Sequence, residues 1–256
     1  MTVPNPWHSF LNAVMFFTRI PIPKNTPYSE ELLNRASAWF PLIGWIAGLW
    51  SALIFWFAAH IFPTSIAVLL SMLAGILLTG AFHEDGLADA SDGFGGGWER
   101  DRILDIMKDS RIGTYGVVAL VFALLLKWSA LSNLSPELIP YAFCIAHPLS
   151  RLGAASLIRF GDYARADLKS KAKPLATRMN NLDFAIATIC GLLPLIIFPN
   201  PLIWLAVPIV FGVAWRAMAY FNKWISGYTG DCLGAVQQLC ELITYLTILG
   251  ISSSAL

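Results

Sequence analysis

Residues 64–93 read TSIAVLLSMLAGILLTGAFHEDGLADASDG. From Thr64 to Phe82 there is no charged side chain, and then Glu84, Asp85, Asp89 and Asp92 follow within nine residues. The uncharged run is close to the roughly 20 residues that cross the hydrocarbon core of a bilayer. Acids placed where such a run ends are costly and are usually retained for function.

The rest of the 256-residue chain repeats this texture. It is 57% hydrophobic and 13% charged, with a mean hydropathy of +0.63. A soluble domain of this length needs more charge to cover its surface. Net charge is +1, and no basic patch is interleaved with aromatics, so nucleic acid is not an expected partner. Cys144, Cys190, Cys232 and Cys240 form no CxxC pair, so neither a zinc site nor a disulfide scaffold is expected. No cleavable signal peptide is visible at the N-terminus.

Apolar periodicity predicts an all-α integral membrane protein, residues 1–256 forming one polytopic domain of about seven transmembrane helices plus short interfacial helices. The predicted spans are 39–60, 64–82, 114–134, 137–158, 183–198, 201–220 and 233–252. The fifth is short and closely followed by Pro199 and Pro201, as in a tilted or incomplete span. Before them Trp7, Phe10, Leu11, Val14 and Phe17 recur at helical spacing, as in a helix lying in the membrane interface, and Pro21, Pro23 and Pro27 end it. With the N-terminus inside, the inner connections and span ends carry 16 of the 17 Lys and Arg, leaving Lys127 outside. This is the positive-inside pattern, and it puts HEDGLADASDG on the cytoplasmic face and ISSSAL on the other.

If the second span continues as helix past Phe82, then Asp85, Asp89 and Asp92 fall at i, i+4 and i+7 on one face, with Glu84 flanking them. Like charges at this spacing repel and call for a cation. Four hard oxygen donors suit Mg²⁺, which takes carboxylates together with phosphate and water. The alternative is a solvated acidic loop. The Gly93–Gly97 region lets backbone approach a phosphate or nucleotide, with Gly95 and Gly96 as contacts. In WERDRILDIMKDSRIGTYG, Ile103, Leu104 and Met107 form an apolar stripe, with Asp101, Asp105 and Asp109 on another face, as in a helix lying on the membrane. Lys108 and Arg111 are placed to meet a diphosphate.

Polar groups also enter the spans. His147 and Arg151 sit at i, i+4 in HPLSR, and Arg151 lies about 10 Å inside the cytoplasmic end. It needs a partner, either a structural carboxylate such as Glu241 or a substrate phosphate. Asp231, Gln238, Glu241 and Tyr245 share a face of the last span, which therefore cannot face lipid. Asp231 brings a second acid to the same boundary as Asp85.

HEDGLADASDGFGGG followed by RILDIMKDSRIGTYG resembles the cobalamin synthase family, the adenosylcobinamide-GDP ribazoletransferases. FTRIPIP, FPLIGWIAG, HPLSR and GYTGDCLGA are similar to it too, so the likeness spans nearly the whole chain. The resemblance implies a Mg²⁺-dependent transferase of cobalamin biosynthesis in the cytoplasmic (inner) membrane, its site facing the cytoplasm. Its substrates would be adenosylcobinamide-GDP and α-ribazole or its 5′-phosphate. A homo-oligomer and other cobamide-assembly enzymes are open as partners. Beside it, the residues themselves nominate Asp85, Asp89, Asp231 and His83 as catalytic, and Glu84, Asp85, Asp89 and Asp92 as metal ligands. Gly95, Gly96, Lys108, Arg111 and Arg151 are the substrate or phosphate contacts. Other readings are another Mg-dependent membrane phosphotransferase, a prenyltransferase, or a transporter, whose site would sit at the midplane.

Overall fold

The computed structural model describes residues 5–164 and 177–253. The basic stretch 165–176, counted above on the inner side, and the C-terminal Leu256 lie outside the described residues. Eleven α-helices occur among the described residues, in the order α1 Pro6–Phe17, α2 Glu30–Ala36, α3 Phe40–Ala58, α4 Thr64–Thr79, α5 Phe82–Gly96, α6 Arg100–Ile106, α7 Thr114–Ser132, α8 Ile139–Phe160, α9 Asn181–Leu192, α10 Ala206–Ile225 and α11 Gly230–Ser253. Among these residues there is no strand, only an isolated bridge between Tyr163 and Tyr228.

Helix α8 is the hub. From Phe143 to Ile158 nearly every residue is buried, because α3, α9, α10 and α11 pack around it. Its polar residues therefore face protein, which is where a membrane protein can hold them. The apolar residues that stay exposed sit on the outer helices, such as Leu69 and Leu73 on α4 and Val121 and Phe122 on α7. Side chains of this kind, exposed on all-apolar faces, suit contact with lipid tails.

Among the described residues, four helical stretches are long and apolar enough to span a membrane: Glu30–Ala58, Thr114–Ser132, Pro201–Ile225 and Gly230–Ser253. A fifth exists if the bent pair of α4 and α5 is counted as one span. The expected count of seven is thus not reached on length and apolarity. The stretch 183–198 is a 12-residue helix followed by a 3₁₀ turn, Leu193–Ile197. At 1.5 Å per residue α9 covers about 18 Å, short of a bilayer core. The stretch 137–158 does form the long α8, but its polar positions lower its apolarity.

The expected continuous helix through Phe82 is also corrected. α4 stops at Thr79, and α5 leaves at 87°. Gly80 and Ala81 both adopt left-handed backbone, at φ 67° and 59°. The Ala81 N–H donates to Ile76 O at 3.0 Å and the Gly80 N–H to Leu77 O at 3.3 Å, the paired bonds of a Schellman cap. A further carbonyl at the break, Leu78 O, accepts from the Arg19 N–H at 2.8 Å. The N-terminal FTRIPIP segment thereby clamps the corner. On α1, Asn12, off the apolar stripe, is buried, and its amide donates to His8 O and Pro27 O.

α6 differs from expectation too. It is seven residues long and ends before Asp109. Its apolar Ile103, Leu104 and Met107 are buried, and Met107 and Ile103 pack on α5 beside Gly93 and Gly97 rather than on lipid. Arg100 fixes it to the bundle by donating to Ile225 O at 3.3 Å and Ala164 O at 2.8 Å.

Because the corner needs a left-handed residue, Gly80→Val should destabilise the protein by about 1–2 kcal/mol or more, whereas Gly80→Asn should cost less, since Asn tolerates this backbone and its Cβ has only to displace the flexible Arg19 side chain. Thermal unfolding in detergent measures both; equal melting temperatures for Val and wild type would show that the corner is not held in this conformation.

Candidate functional site

Two helices cross backbone to backbone at the site. A Cβ placed on Gly86 of α5 would lie 3.0 Å from Gly234 Cα and from Asp231 O of α11. Only glycine at both positions lets the helices approach this closely. The crossing sets Gly86 of α5, the residue after Asp85, against the first turn of α11, where Asp231 follows Gly230. Asp231 is half-buried, and the Thr229 hydroxyl donates to its Oδ2 at 3.3 Å. The Asp231 backbone thus lies against Gly86, one residue from Asp85.

The four acids of HEDGLADASDG do not act as one set. Asp85 is exposed and Asp89 half-buried, on one face of α5. Glu84 turns inward, and its Oε1 accepts from Gln238 Nε2 of α11 at 3.0 Å. Asp92 is 8% exposed and accepts from the Gly113 N–H at 2.7 Å and the Gly116 N–H at 2.9 Å. It satisfies N–H groups at the start of α7 that the helix itself leaves open. Among the described residues no three His, Cys, Asp or Glu side chains are gathered as a metal set. Mg²⁺ commonly takes one or two protein carboxylates and fills its shell with phosphate and water. Asp85, Asp89 and Asp231 have the donor chemistry for that mode, while the expected four-carboxylate set of Glu84, Asp85, Asp89 and Asp92 is divided.

His83 points the other way. It is 2% exposed, stacked on Phe40 with ring centroids 5.6 Å apart, and its Nε2 has no hydrogen-bond partner. It lines an interior cavity of ≈ 20 Å³ with Glu84, Lys127, His147, Arg151 and Glu241. That space holds about one water, so no substrate-sized group enters it. Arg151, 1% exposed, donates to His147 O at 3.0 Å and lies over the Phe40 ring. Glu241 is not its ion-pair partner. Glu241 Oε1 instead holds Lys127 Nζ at 2.9 Å, and Lys127 also donates to Gln238 Oε1 at 2.7 Å. Gln237 Nε2 donates to Glu241 Oε2 at 2.7 Å and to Ser150 Oγ at 3.0 Å.

Lys127 is the residue sequence reasoning misplaced. It lies inside α7, 3% exposed, not in an outer connection. A lone Lys amid apolar residues needs a carboxylate on another span, and Glu241 was the available one.

The remaining nominees lie on the surface beside the C-terminal end of α5. A cleft of ≈ 400 Å³ opens there, lined by Asp92, Gly96, Arg102, Asp105, Asp109, Arg111, Thr114 and Tyr115 among others. Arg111 forks onto Asp109, with Nη2–Oδ2 at 2.6 Å, and these hydrogen bonds hold the Asp109 carboxyl down at about 2. Lys108 Nζ faces Asp105 at 3.8 Å, both exposed. Gly95 is not an open contact: the Tyr115 ring covers it, 2.5 Å from where a Cβ would stand. Gly96 does line the cleft.

Removing one partner of the buried ion pair strands the other in a low-dielectric interior. Lys127→Met or Glu241→Leu alone should cost about 3–5 kcal/mol, and the double variant should recover much of it. Unfolding in detergent gives the cycle; additive losses would mean that the two charges do not depend on each other. Asp92→Ala should cost about 0.5–2 kcal/mol as the loss of a helix cap. An unchanged melting point, together with a raised Mg²⁺ requirement, would make it a metal ligand instead.

The sequence profile of a family described as cobalamin-5-phosphate synthase matches residues 9–249. A protein of Shewanella sp. (strain W3-18-1), named adenosylcobinamide-GDP ribazoletransferase, is 44% identical over 254 residues, covering 96% of this chain and 97% of that one. Proteins of the same name from Shewanella oneidensis and Shewanella piezotolerans are each 46% identical, over 95% and 96% of this chain and the same shares of their own lengths. No solved structure matches. By the reach of these matches, the chain belongs to the cobalamin-5-phosphate synthase family.

Proposed function

We propose that this chain is an adenosylcobinamide-GDP ribazoletransferase, and that its reaction takes place where α5 crosses α11. The observation that supports the site is the Gly86–Gly234 contact, which brings the Asp231 backbone against Gly86, the residue after Asp85. In the reaction a hydroxyl of α-ribazole, or of its 5′-phosphate, attacks the cobinamide-proximal phosphorus of adenosylcobinamide-GDP. A P–O bond to ribazole forms, the P–O bond to the departing GMP breaks, and the hydroxyl proton passes to a base.

Phosphoryl transfer asks chiefly for alignment and charge neutralisation. Mg²⁺, when bound, supplies that neutralisation at the phosphate oxygens. Asp85 and Asp89 would hold it from one helix and Asp231 from the other. Alternatively Asp231, coming from the second helix, would take the proton from the attacking hydroxyl. Arg111, which lines the cleft, and Lys108, beside Asp105 at its wall, would add positive charge around the bound nucleotide. His83, Glu84 and Arg151 belong to the interior network, and their part is to hold α5 in place. A site at the mouth of an apolar bundle suits a large substrate with a broad amphipathic surface. The reading places the enzyme in the cytoplasmic membrane, with this mouth facing the cytoplasm.

Purified protein given both substrates should release GMP in a Mg²⁺-dependent manner, and Asp85→Asn or Asp89→Asn should lower turnover by about 10²-fold or more without loss of insertion or melting temperature. Near-normal rates for both variants at limiting Mg²⁺ would remove these two acids from the site. For orientation, a cysteine at the exposed Trp98 should react with membrane-impermeant reagent only from the cytoplasmic side. Labelling from the other side would invert the arrangement.

A further inference from the structure

We infer that the surface cleft between α6 and the start of α7 is a guanine-selective nucleotide subsite, with Asp105 and Arg102 reading the base. This rests on the reading above, since the guanosine would be the one carried by the donor substrate.

Three observations converge on it. The first is size: at ≈ 400 Å³ the cleft falls within the range of small-molecule sites, whereas the ≈ 20 Å³ interior cavity does not. The second is continuity. Asp85, Asp89, Asp92 and Gly96 occupy i, i+4, i+7 and i+11 on α5, one stripe, and Gly96 and Asp92 line the cleft. Along the axis Asp89 lies about 10 Å and Asp85 about 16 Å from Gly96, at 1.5 Å per residue. That is the reach of an extended nucleoside diphosphate, so a base in the cleft would leave its phosphates beside Asp89 and Asp85.

The third is chemistry. Arg102 and Asp105 stand at i, i+3 on one side of α6 and both line the cleft. Arg102 makes no ion pair among the described residues. Asp105 meets only Lys108, at 3.8 Å, with 68% of its side chain exposed, whereas Asp109 is already taken by the Arg111 fork. Guanine presents acceptors at O6 and N7, which suit a guanidinium, and donors at N1 and N2, which suit a carboxylate. Adenine offers the carboxylate a lone pair at N1, which repels it. Tyr115, 58% exposed and backed by Gly95, supplies an aromatic platform at the cleft wall. Bases stack on such rings without reading their sequence.

The full-length protein in detergent is titrated with GMP and with AMP. Wild type should bind GMP at least tenfold more tightly, and Asp105→Asn and Arg102→Ala should each reduce that ratio about fivefold or more. Gly96→Phe, whose Cβ would meet only Ile106 Cδ1 at 3.4 Å, should fill the cleft and weaken both nucleotides. 8-Azido-GMP should label the segment 100–116. Equal binding of GMP and AMP, a ratio unmoved in both α6 variants with wild-type melting temperature, or labelling elsewhere would overturn the inference, even where the enzyme still releases GMP from its substrate. Selective GMP binding without any transferase activity would uphold the subsite and fail the functional reading instead.

Discussion

The structure depends on a charge pair that lipid cannot tolerate alone. Lys127 of α7 and Glu241 of α11 meet at 2.9 Å with almost no exposure. Because each needs the other, the two spans are held in register at that level. Gln238, one turn from Glu241, binds Lys127 with its oxygen and Glu84 with its amide. Through that link the inner face of α5 is tied to the same pair. Asp85, next in the chain, is thereby directed outward. The interior network and the outward acids are two faces of one short helix.

Glycine completes what charge begins. The Gly86–Gly234 contact removes any side chain between α5 and α11 at that point, so the Asp231 backbone lies against Gly86, next in the chain to Asp85. The corner at Gly80 and Ala81 turns α5 across the end of the bundle instead of letting it run on along α4. A straight helix would have carried the same residues away from α11. The departure from regular helix is thus what assembles the site, and Arg19, from the N-terminal arm, secures it.

Much of this was legible in the residues. Apolar runs located α3 and α7 to within two residues at each end, because hydrocarbon thickness fixes their length. Helical periodicity correctly grouped Asp85 and Asp89, and the polar stripe of α11 was rightly turned from lipid. What escaped was partnership. Glu84 and Asp92 look equivalent to their neighbours in sequence, yet one faces Gln238 and the other caps α7 across more than twenty residues. Lys127 met its carboxylate over more than a hundred residues. Periodicity tells which residues share a face; it does not tell which helix that face will meet. The break at Gly80 was hidden for a related reason: Thr79, Gly80 and Ala81 remain apolar enough to read as continued span, and only backbone dihedrals reveal the turn.

The central claim is that α5 and α11 cross at the acids. It is tested most directly by placing cysteines at 85 and 231 in a chain whose four native cysteines are replaced by alanine, and treating native membranes with a short thiol crosslinker. The account predicts rapid crosslinking between 85 and 231, and much slower reaction when the pair is moved to 85 and 246, on the exposed lower part of α11. Failure of the first pair to crosslink in folded, membrane-inserted protein would contradict it, and would leave Asp231 as no more than a residue in the first turn of a helix far from the site.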